Sequence, residues 1–460
     1  MKELIRKANL DCVYKIKKDK MKEFKIIPLY ENGNKVFVAT YEENDEGKNF
    51  IEFLFGKEAK FINLDKNKFN KLISSIRPDV GEDIEEKIIY KVITQNGSDV
   101  HFEPSKDFVI IRARIDGGLV LIGKLRISDY NQILSRVKLN GNMDIAEKRK
   151  PQDGKILINN NLGTFDCRIS TVPVIYGEKM VIRILYQEKL DYSIKGLKLL
   201  DYQLETLKKI VNIKNGMVII SGPTGSGKSS TLYSIISTIK EKDINITTIE
   251  DPVECNIEGI NQININRKIN LGFAEGLRST LRQDPDVIMV GEIRDEETAN
   301  MAIRASITGH KVYSTIHTKS SREVFLRLED MNVKSYLIKD SLVGLISQRL
   351  IGCLCSNCKK VCKEIFNGKE YFFYEESGCE ECNFTGIKGR RLVCAVHFID
   401  EDIKERLKNI YLDIELLSNK QMYEVCKTML FDGIISYGQY KKFIEGEDLI
   451  KYEGCKEILL

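Results

Sequence analysis

The sequence predicts an α/β fold in which a mainly parallel sheet, covered by helices, surrounds a phosphate-binding loop and is flanked by smaller domains. Three observations carry this. The apolar runs Met217–Ser221, Ile246–Glu250, Val287–Gly291 and Val312–His317 alternate with helical stretches, the rhythm of strands buried on both faces by crossover helices. A glycine-rich loop joins the first of these runs to a helical one, which is where a phosphate-binding loop has to sit. At 460 residues the chain is too long for one core, so three or four domains are expected.

Residues 1–78 carry two strand-like runs, Phe24–Leu29 and Lys35–Thr40, and a helical stretch near Asn67–Ile76, which predicts a short α+β domain. The turn formers in Arg77-Pro78-Asp79-Val80-Gly81 mark its end, before a helix over Asp83–Ile93. Residues 79–190 read as strand-rich α+β, with alternation in Phe108–Ile115 and Met180–Leu185 and turns expected at Asp116-Gly117-Gly118 and Asp153-Gly154. After a linker near Asp191–Gly196, residues 191–347 hold the parallel sheet. Residues 348–460 are cysteine-rich and then helical. There is no solenoid repeat and no low-complexity tract.

Lys plus Arg at 71 nearly balance Asp plus Glu at 67, so there is no general positive field for nucleic acid. The longest apolar runs fall far short of the roughly 18 residues of a membrane span. The charged Met1–Lys7 is followed by no apolar stretch of signal-peptide length, so the expectation is a cytoplasmic protein that reaches a membrane only through partners. Twelve cysteines, several in tight pairs, suggest metal binding in a reducing compartment rather than a disulfide framework.

The loop Gly222, Pro223, Thr224, Gly225, Ser226, Gly227, Lys228 and Ser229, continued by Ser230, fits the phosphate-loop pattern at every position. Its amides and helix start suit phosphate, Lys228 balances the β and γ charges of ATP, and Ser229 can ligate Mg2+. Glu250-Asp-Pro-Val-Glu254 ends the next strand, where Pro252 stops the ladder. Asp284-Pro-Asp286 leads into a strand ending at Glu292, an acid placed to orient water or hold a magnesium shell. His317 closes the fourth strand; a lone histidine there is more often structural than catalytic. Cys355, Cys358, Cys379 and Cys382 form two CxxC knuckles within 353–391, the spacing of a closed, structural tetrathiolate Zn2+ site, with Cys353 and Cys362 as spares.

These motifs, with Leu277–Asp295, Thr308–Thr318, Ser98–Pro104, Arg114–Gly117, Arg168–Pro173, Gly177-Glu178 and Gln348-Arg-Leu350, resemble the type II secretion and type IV pilus assembly ATPase family, GspE/PilB-like, over residues 79–390. The resemblance implies a RecA-like P-loop NTPase core. It makes Glu254 the catalytic glutamate, Glu292 the Walker B glutamate, His317 the residue that senses the γ phosphate, and Arg168 and Arg183 the arginines by which the preceding domain reaches the nucleotide. It further implies a homo-hexameric motor for pilin or pseudopilin assembly, a polytopic inner-membrane platform protein and a cytoplasmic adaptor as partners, and no nucleic acid. The tetracysteine element favours assembly over retraction. Alternatives are a competence pseudopilus motor, a nucleotide-gated scaffold with little hydrolysis and a nucleic-acid motor. Lys319 stands where the family commonly has asparagine, Cys353 where it often has a basic residue, and the first-half motif for cyclic dinucleotides is missing.

Overall fold

The computed structural model describes residues 1–77, 84–186, 192–240, 243–366, 369–406 and 410–447. The expected domain junctions at 78–81 and at 190–191 lie outside the described residues. The chain divides into two compact units, Met1–Gln187 and Glu188–Leu460.

In the first unit, β1 (Ile26–Asn32) pairs antiparallel with β2 (Lys35–Thr40), and β2 pairs parallel with β3 (Glu58–Asn63) across the helix Asp45–Phe55. The helix Lys66–Ile76 is capped by the Asp65 carboxylate, which accepts the Lys68 N–H at 2.8 Å. Its Phe69, Leu72, Ile73 and Ile76, one helical face, are buried with Ile27, Val36 and Val38. Sequence patterning missed β3 because it buries only Ala59 fully and offers no alternation.

The six-stranded antiparallel sheet that follows comprises β4 (Gly97–Pro104), β5 (Val109–Ile115), β6 (Gly118–Leu125), β7 (Gln152–Asn160), β8 (Gly163–Val174) and β9 (Gly177–Tyr186), in the order β6-β5-β4-β9-β8-β7. Strand β5 buries Val109, Ile111, Ala113 and Ile115 in strict alternation, against the helices Ile84–Ile93 and Ile127–Asn140. The expected turn at Asp116-Gly117 is present, both residues having positive φ. Asp153-Gly154 is not a turn but lies inside β7. A side chain at Gly154 would meet Met143 Sδ at 2.6 Å and Gly141 O at 2.7 Å, so this glycine serves close backbone packing.

The second unit is built on β10 (Gly216–Ser221), β11 (Ile246–Glu250), β12 (Asn261–Asn264), β13 (Val287–Val290), β14 (Lys311–Ile316), β15 (Leu342–Leu354), β16 (Lys360–Phe366), β17 (Lys369–Glu375) and β18 (Ile387–Phe398). Seven of these form one sheet, in the order β12-β11-β13-β14-β10-β15-β18. It is parallel except for β18, which runs antiparallel to β15. Every residue of β10, β11, β13 and β14 is buried, which is why they read as apolar runs rather than alternating ones. Gln348 lies inside β15, so the sheet passes through the position where a fourth region was expected to begin. The cysteine knuckles and the hairpin of β16 and β17 are an excursion between β15 and β18. The helices Ile410–Phe431 and Tyr437–Gly446 follow. No helix among the described residues is long and apolar enough to cross a membrane.

Candidate functional site

Strand β10 delivers the chain directly into the glycine-rich loop. A Cβ at Gly222 would lie 2.5 Å from both Gln348 O and Ser226 Oγ, so only glycine lets the loop close against β15. Gly227, at φ +87°, makes the left-handed turn into the helix Lys228–Ile239. Pro223, Thr224 and Gly225 are exposed, Ser226 is buried, and Ser229 and Ser230 are half-buried at the helix start. The buried Gln348 side chain donates from Nε2 to Ser226 O at 2.8 Å and so clamps the loop from the neighbouring strand.

Lys228 is 7% exposed and donates to Gly222 O at 2.9 Å and Pro223 O at 3.1 Å. Burial pulls its ammonium down from 10.5 to about 8; the Glu292 carboxylate opposes this and the Arg349 guanidinium adds to it. Its Nζ lies 3.4 Å from His317 Nδ1, and His317 Nε2 lies 3.4 Å from Glu292 Oε2. The imidazole thus bridges the lysine and the acid. Burial and then the Lys228 charge lower the His317 pKa below its ordinary 6.5, which keeps the ring neutral at neutral pH. Glu292 also pairs with Arg294 Nε at 2.6 Å. Its backbone is held from both sides: Gly291 N–H donates to Ile249 O at 2.8 Å and Ile293 N–H to Thr315 O at 3.0 Å.

The carboxylates of Glu250-Asp-Pro-Val-Glu254 divide into separate roles. Glu250 is buried and accepts from Thr248 Oγ1 at 2.6 Å, from Gln262 Nε2 at 3.1 Å and from the Tyr233 hydroxyl. The same phenol accepts the Glu254 N–H at 3.1 Å, so the loop helix fixes the start of the Glu254 segment while the Glu254 side chain stays exposed. Asp251 pairs with Arg267 at 2.9 Å. Tyr233, Arg294 and Gln348 were not singled out from sequence as site residues; a buried tyrosine in a helix carries no local signal separating it from core.

In the first unit, Arg168 and Arg183 are direct cross-strand partners on β8 and β9, and both are exposed. The register extends the row from Arg114 through Asp99, Arg183 and Arg168 to Lys155. Asp99 is buried and accepts Arg183 Nε at 2.9 Å, while Arg114 stands 4.0 Å away. This row therefore sets three arginines around Asp99, while the lysine at its end, Lys155, is paired with Asp166 at 2.6 Å.

Near the end of β15, the sulfurs of Cys355, Cys358, Cys379 and Cys382 all lie within 4.8 Å of one another. Cys355 and Cys379 are 3.8 Å apart, Cys358 and Cys382 3.7 Å, and Cys379 and Cys382 3.8 Å. Tetrahedral bonds of about 2.3 Å to a central ion require a sulfur spacing of about 3.8 Å, so the donor set fits zinc. Backbone N–H groups of Gly378, Cys379 and Gly386 point at these sulfurs at 3.2, 3.1 and 3.2 Å, as thiolates require. Cys353 and Cys362 lie outside the set, on β15 and β16.

Comparison with known proteins places this architecture. The type II/IV secretion system protein family matches residues 78–442. The chain is 38% identical over 329 residues to type II secretion system protein E of Aeromonas hydrophila, covering 70% of this chain and 66% of that protein. It is 35% identical over 441 residues to the type IV pilus assembly ATPase PilB of Acinetobacter baylyi, covering 85% of this chain and 76% of that one. Among solved structures, the Legionella pneumophila ATPase DotB superposes with a TM-score of 0.61 at 22% identity, over 79% of this chain and 95% of DotB. That likeness shows the RecA-like fold.

Proposed function

Since the chain belongs to the type II/IV secretion system protein family, we propose that it is an ATP-hydrolysing, hexameric motor that powers assembly of type IV pili or of a type II secretion pseudopilus at the cytoplasmic membrane. The observation that supports this best is the convergence of Lys228, His317 and Glu292 at the ends of β10, β14 and β13. Three adjacent strands bring a phosphate-binding ammonium, a neutral imidazole and a carboxylate to one point, at the carboxyl edge of the sheet where ligands of open α/β folds bind.

In this reading the loop amides of residues 222–229 receive the phosphates, with Ser230 continuing the helix behind them. Lys228 leaves its carbonyl partners for the β and γ oxygens. Ser229 and the acids at the strand ends would hold magnesium, which when bound neutralises phosphate charge. Glu292 and Glu254 orient and deprotonate the attacking water, and His317 registers the γ phosphate. Arg168 and Arg183 supply guanidinium charge from residues 79–190, supported by the surplus of basic residues in their row. Residues 1–78 form a separate N-terminal domain, residues 191–347 the ATPase domain, and residues 348–460 the region in which the four cysteines hold Zn2+. An inner-membrane platform protein and a cytoplasmic adaptor are the partners of such a motor, and the membrane is reached through them. Magnesium-dependent hydrolysis followed with oligomer size over a protein concentration series tests the motor. Specific activity should rise as hexamers form; verified hexamers without activity would overturn the proposal.

Two further results are expected. Because bound phosphate restores the Lys228 charge, nucleotide binding at pH 8 should take up about half a proton, and affinity should fall from about pH 7 to about pH 9. The sign follows from a lysine whose pKa is depressed in the free protein and raised by the anion. Calorimetry in buffers of different ionisation enthalpy reads the proton directly, and no uptake would show that Lys228 already carries its full charge before nucleotide binds. Tyr233→Phe removes only the hydroxyl that joins Glu250 to the Glu254 segment. It should lower kcat about tenfold with KM changed by less than about twofold, and an unchanged kcat would show that this hydroxyl does not position Glu254.

A further inference from the structure

Behind the loop, five buried side chains from five elements form one unbroken hydrogen-bonded chain. Ser221 Oγ, the last residue of β10, lies 2.7 Å from Ser347 Oγ on β15. Ser347 lies 2.7 Å from Ser321 Oγ in the first turn of the helix Ser321–Asp330. Ser321 lies 2.5 Å from Ser418 Oγ on the helix Ile410–Phe431, and Ser418 lies 2.7 Å from His397 Nε2 on β18. The four serines are 1–2% exposed and His397 is 7% exposed. Each hydroxyl has one proton to give. Every link is satisfied if all serines donate toward a His397 that accepts at Nε2, if His397 donates and all serines donate the other way, or if one interior hydroxyl accepts from both neighbours. Burial pushes His397 down to about 4, so the ring is neutral and can adopt either tautomer.

The chain touches both the phosphate-binding loop and the His317 segment at their roots. Ser221 directly precedes Gly222, and Ser347 directly precedes Gln348, whose amide clamps Ser226. Ser321 follows His317 by four residues, and the segment between them is tied to β15 by the Arg349 guanidinium, which donates to Lys319 O. At the far end, the helix Ile410–Phe431 also grips β18 through Gln421, which exchanges hydrogen bonds with the Val396 N–H and C=O at 3.0 and 3.2 Å.

We infer that this chain is a positioning device: it fixes the phosphate-binding loop relative to the His317 segment and passes nucleotide occupancy to the helix Ile410–Phe431. It rests on reading the loop as a nucleotide site. Ser321 and Ser418 are positioning residues in it, acting through Ser347 and Ser221. Such a network responds as a unit, because losing one hydroxyl leaves its buried neighbours unsatisfied.

The test is amide hydrogen exchange of the full chain with and without magnesium and a slowly hydrolysed ATP analogue, with ATP hydrolysis measured in parallel. In the unaltered protein, nucleotide should slow exchange both in the loop and across residues 410–431. In Ser321→Ala and in Ser418→Ala, loop protection should persist while the 410–431 response drops to about a third or less, and kcat should fall about tenfold with KM within about twofold. The double variant should be no worse than the worse single one, and Ser418→Thr, which keeps a hydroxyl, should restore both readouts. A full 410–431 response in both alanine variants, additive effects, or a threonine variant that behaves like alanine would each overturn the inference. An intact, coupled exchange response without hydrolysis would leave it standing and overturn the motor proposal instead; absent loop protection in the unaltered protein would overturn the nucleotide reading and the inference with it.

Discussion

Glu292→Gln is expected to lower kcat by on the order of 10²–10⁴-fold, the range of a lost general base or water-orienting acid, while nucleotide affinity near pH 7 stays within a few fold. The substitution keeps the shape of a side chain that is 13% exposed and wedged between Arg294 at 2.6 Å and His317 at 3.4 Å, so cavity effects are small. What changes is charge. The Glu292 carboxylate is the group that raises the Lys228 pKa against burial, so its neutralisation should move proton uptake on nucleotide binding to lower pH. This second signature separates loss of the acid from misfolding, which would abolish binding altogether. A variant that keeps more than about a tenth of the activity would remove Glu292 from the chemistry and leave Glu254 as the acid to test by the same substitution.

The parts of this site that were legible in the sequence are those whose signal is local. The strand, loop and helix from Met217 to Ile239 announce themselves because contiguous backbone makes the phosphate cradle, and Glu292 stands out because it closes an apolar run buried on both sheet faces, whereas His317, closing another such run, reads as structural until the family resemblance assigns it. What stayed hidden is assembled across strands in an order unrelated to chain order. The basic row is ordered 114, 99, 183, 168, 155, and the hydroxyl chain joins residues 221, 347, 321, 418 and 397; neither has a periodicity to detect. Gly154 misled because a glycine after aspartate has the same local signature whether it turns the chain or admits Met143 against a strand. Gln348 lies in a motif that the family resemblance picked out, but its task of clamping Ser226 needs β15 beside β10, a pairing of sequence-distant strands.

The second large effect is expected at the four cysteines, and it follows from how the knuckles are tied into the unit. Leu354 N–H donates to Ile434 O at 2.7 Å, Cys355 N–H to Gly386 O at 2.8 Å, Lys359 Nζ to Gly433 O at 2.7 Å, and Gln439 Nε2 to Gly352 O at 2.8 Å. The knuckles thereby pin the end of β15 to the turn between the helices Ile410–Phe431 and Tyr437–Gly446. Without an ion, four sulfur groups within 4.8 Å of one another have only three backbone N–H donors to offset their repulsion once ionised. Metal binding in small tetrathiolate modules is worth roughly 10 kcal/mol or more and is itself folding energy. Protein purified without chelator should therefore carry about one zinc per chain. Cys382→Ser, at a buried sulfur that accepts N–H groups of Cys379 and Gly386, should reduce zinc content about tenfold or more. It should also open residues 355–386 and the 434–444 segment to amide exchange or limited proteolysis. Strand β10 should keep its protection, because its buried neighbours are β14 and β15 rather than the knuckles. Cys353→Ser and Cys362→Ser, outside the sulfur cluster, should retain the metal. Unaltered protein without zinc would show that the knuckles close by packing alone, and a Cys382→Ser protein that keeps its zinc would remove Cys382 from the ligand set.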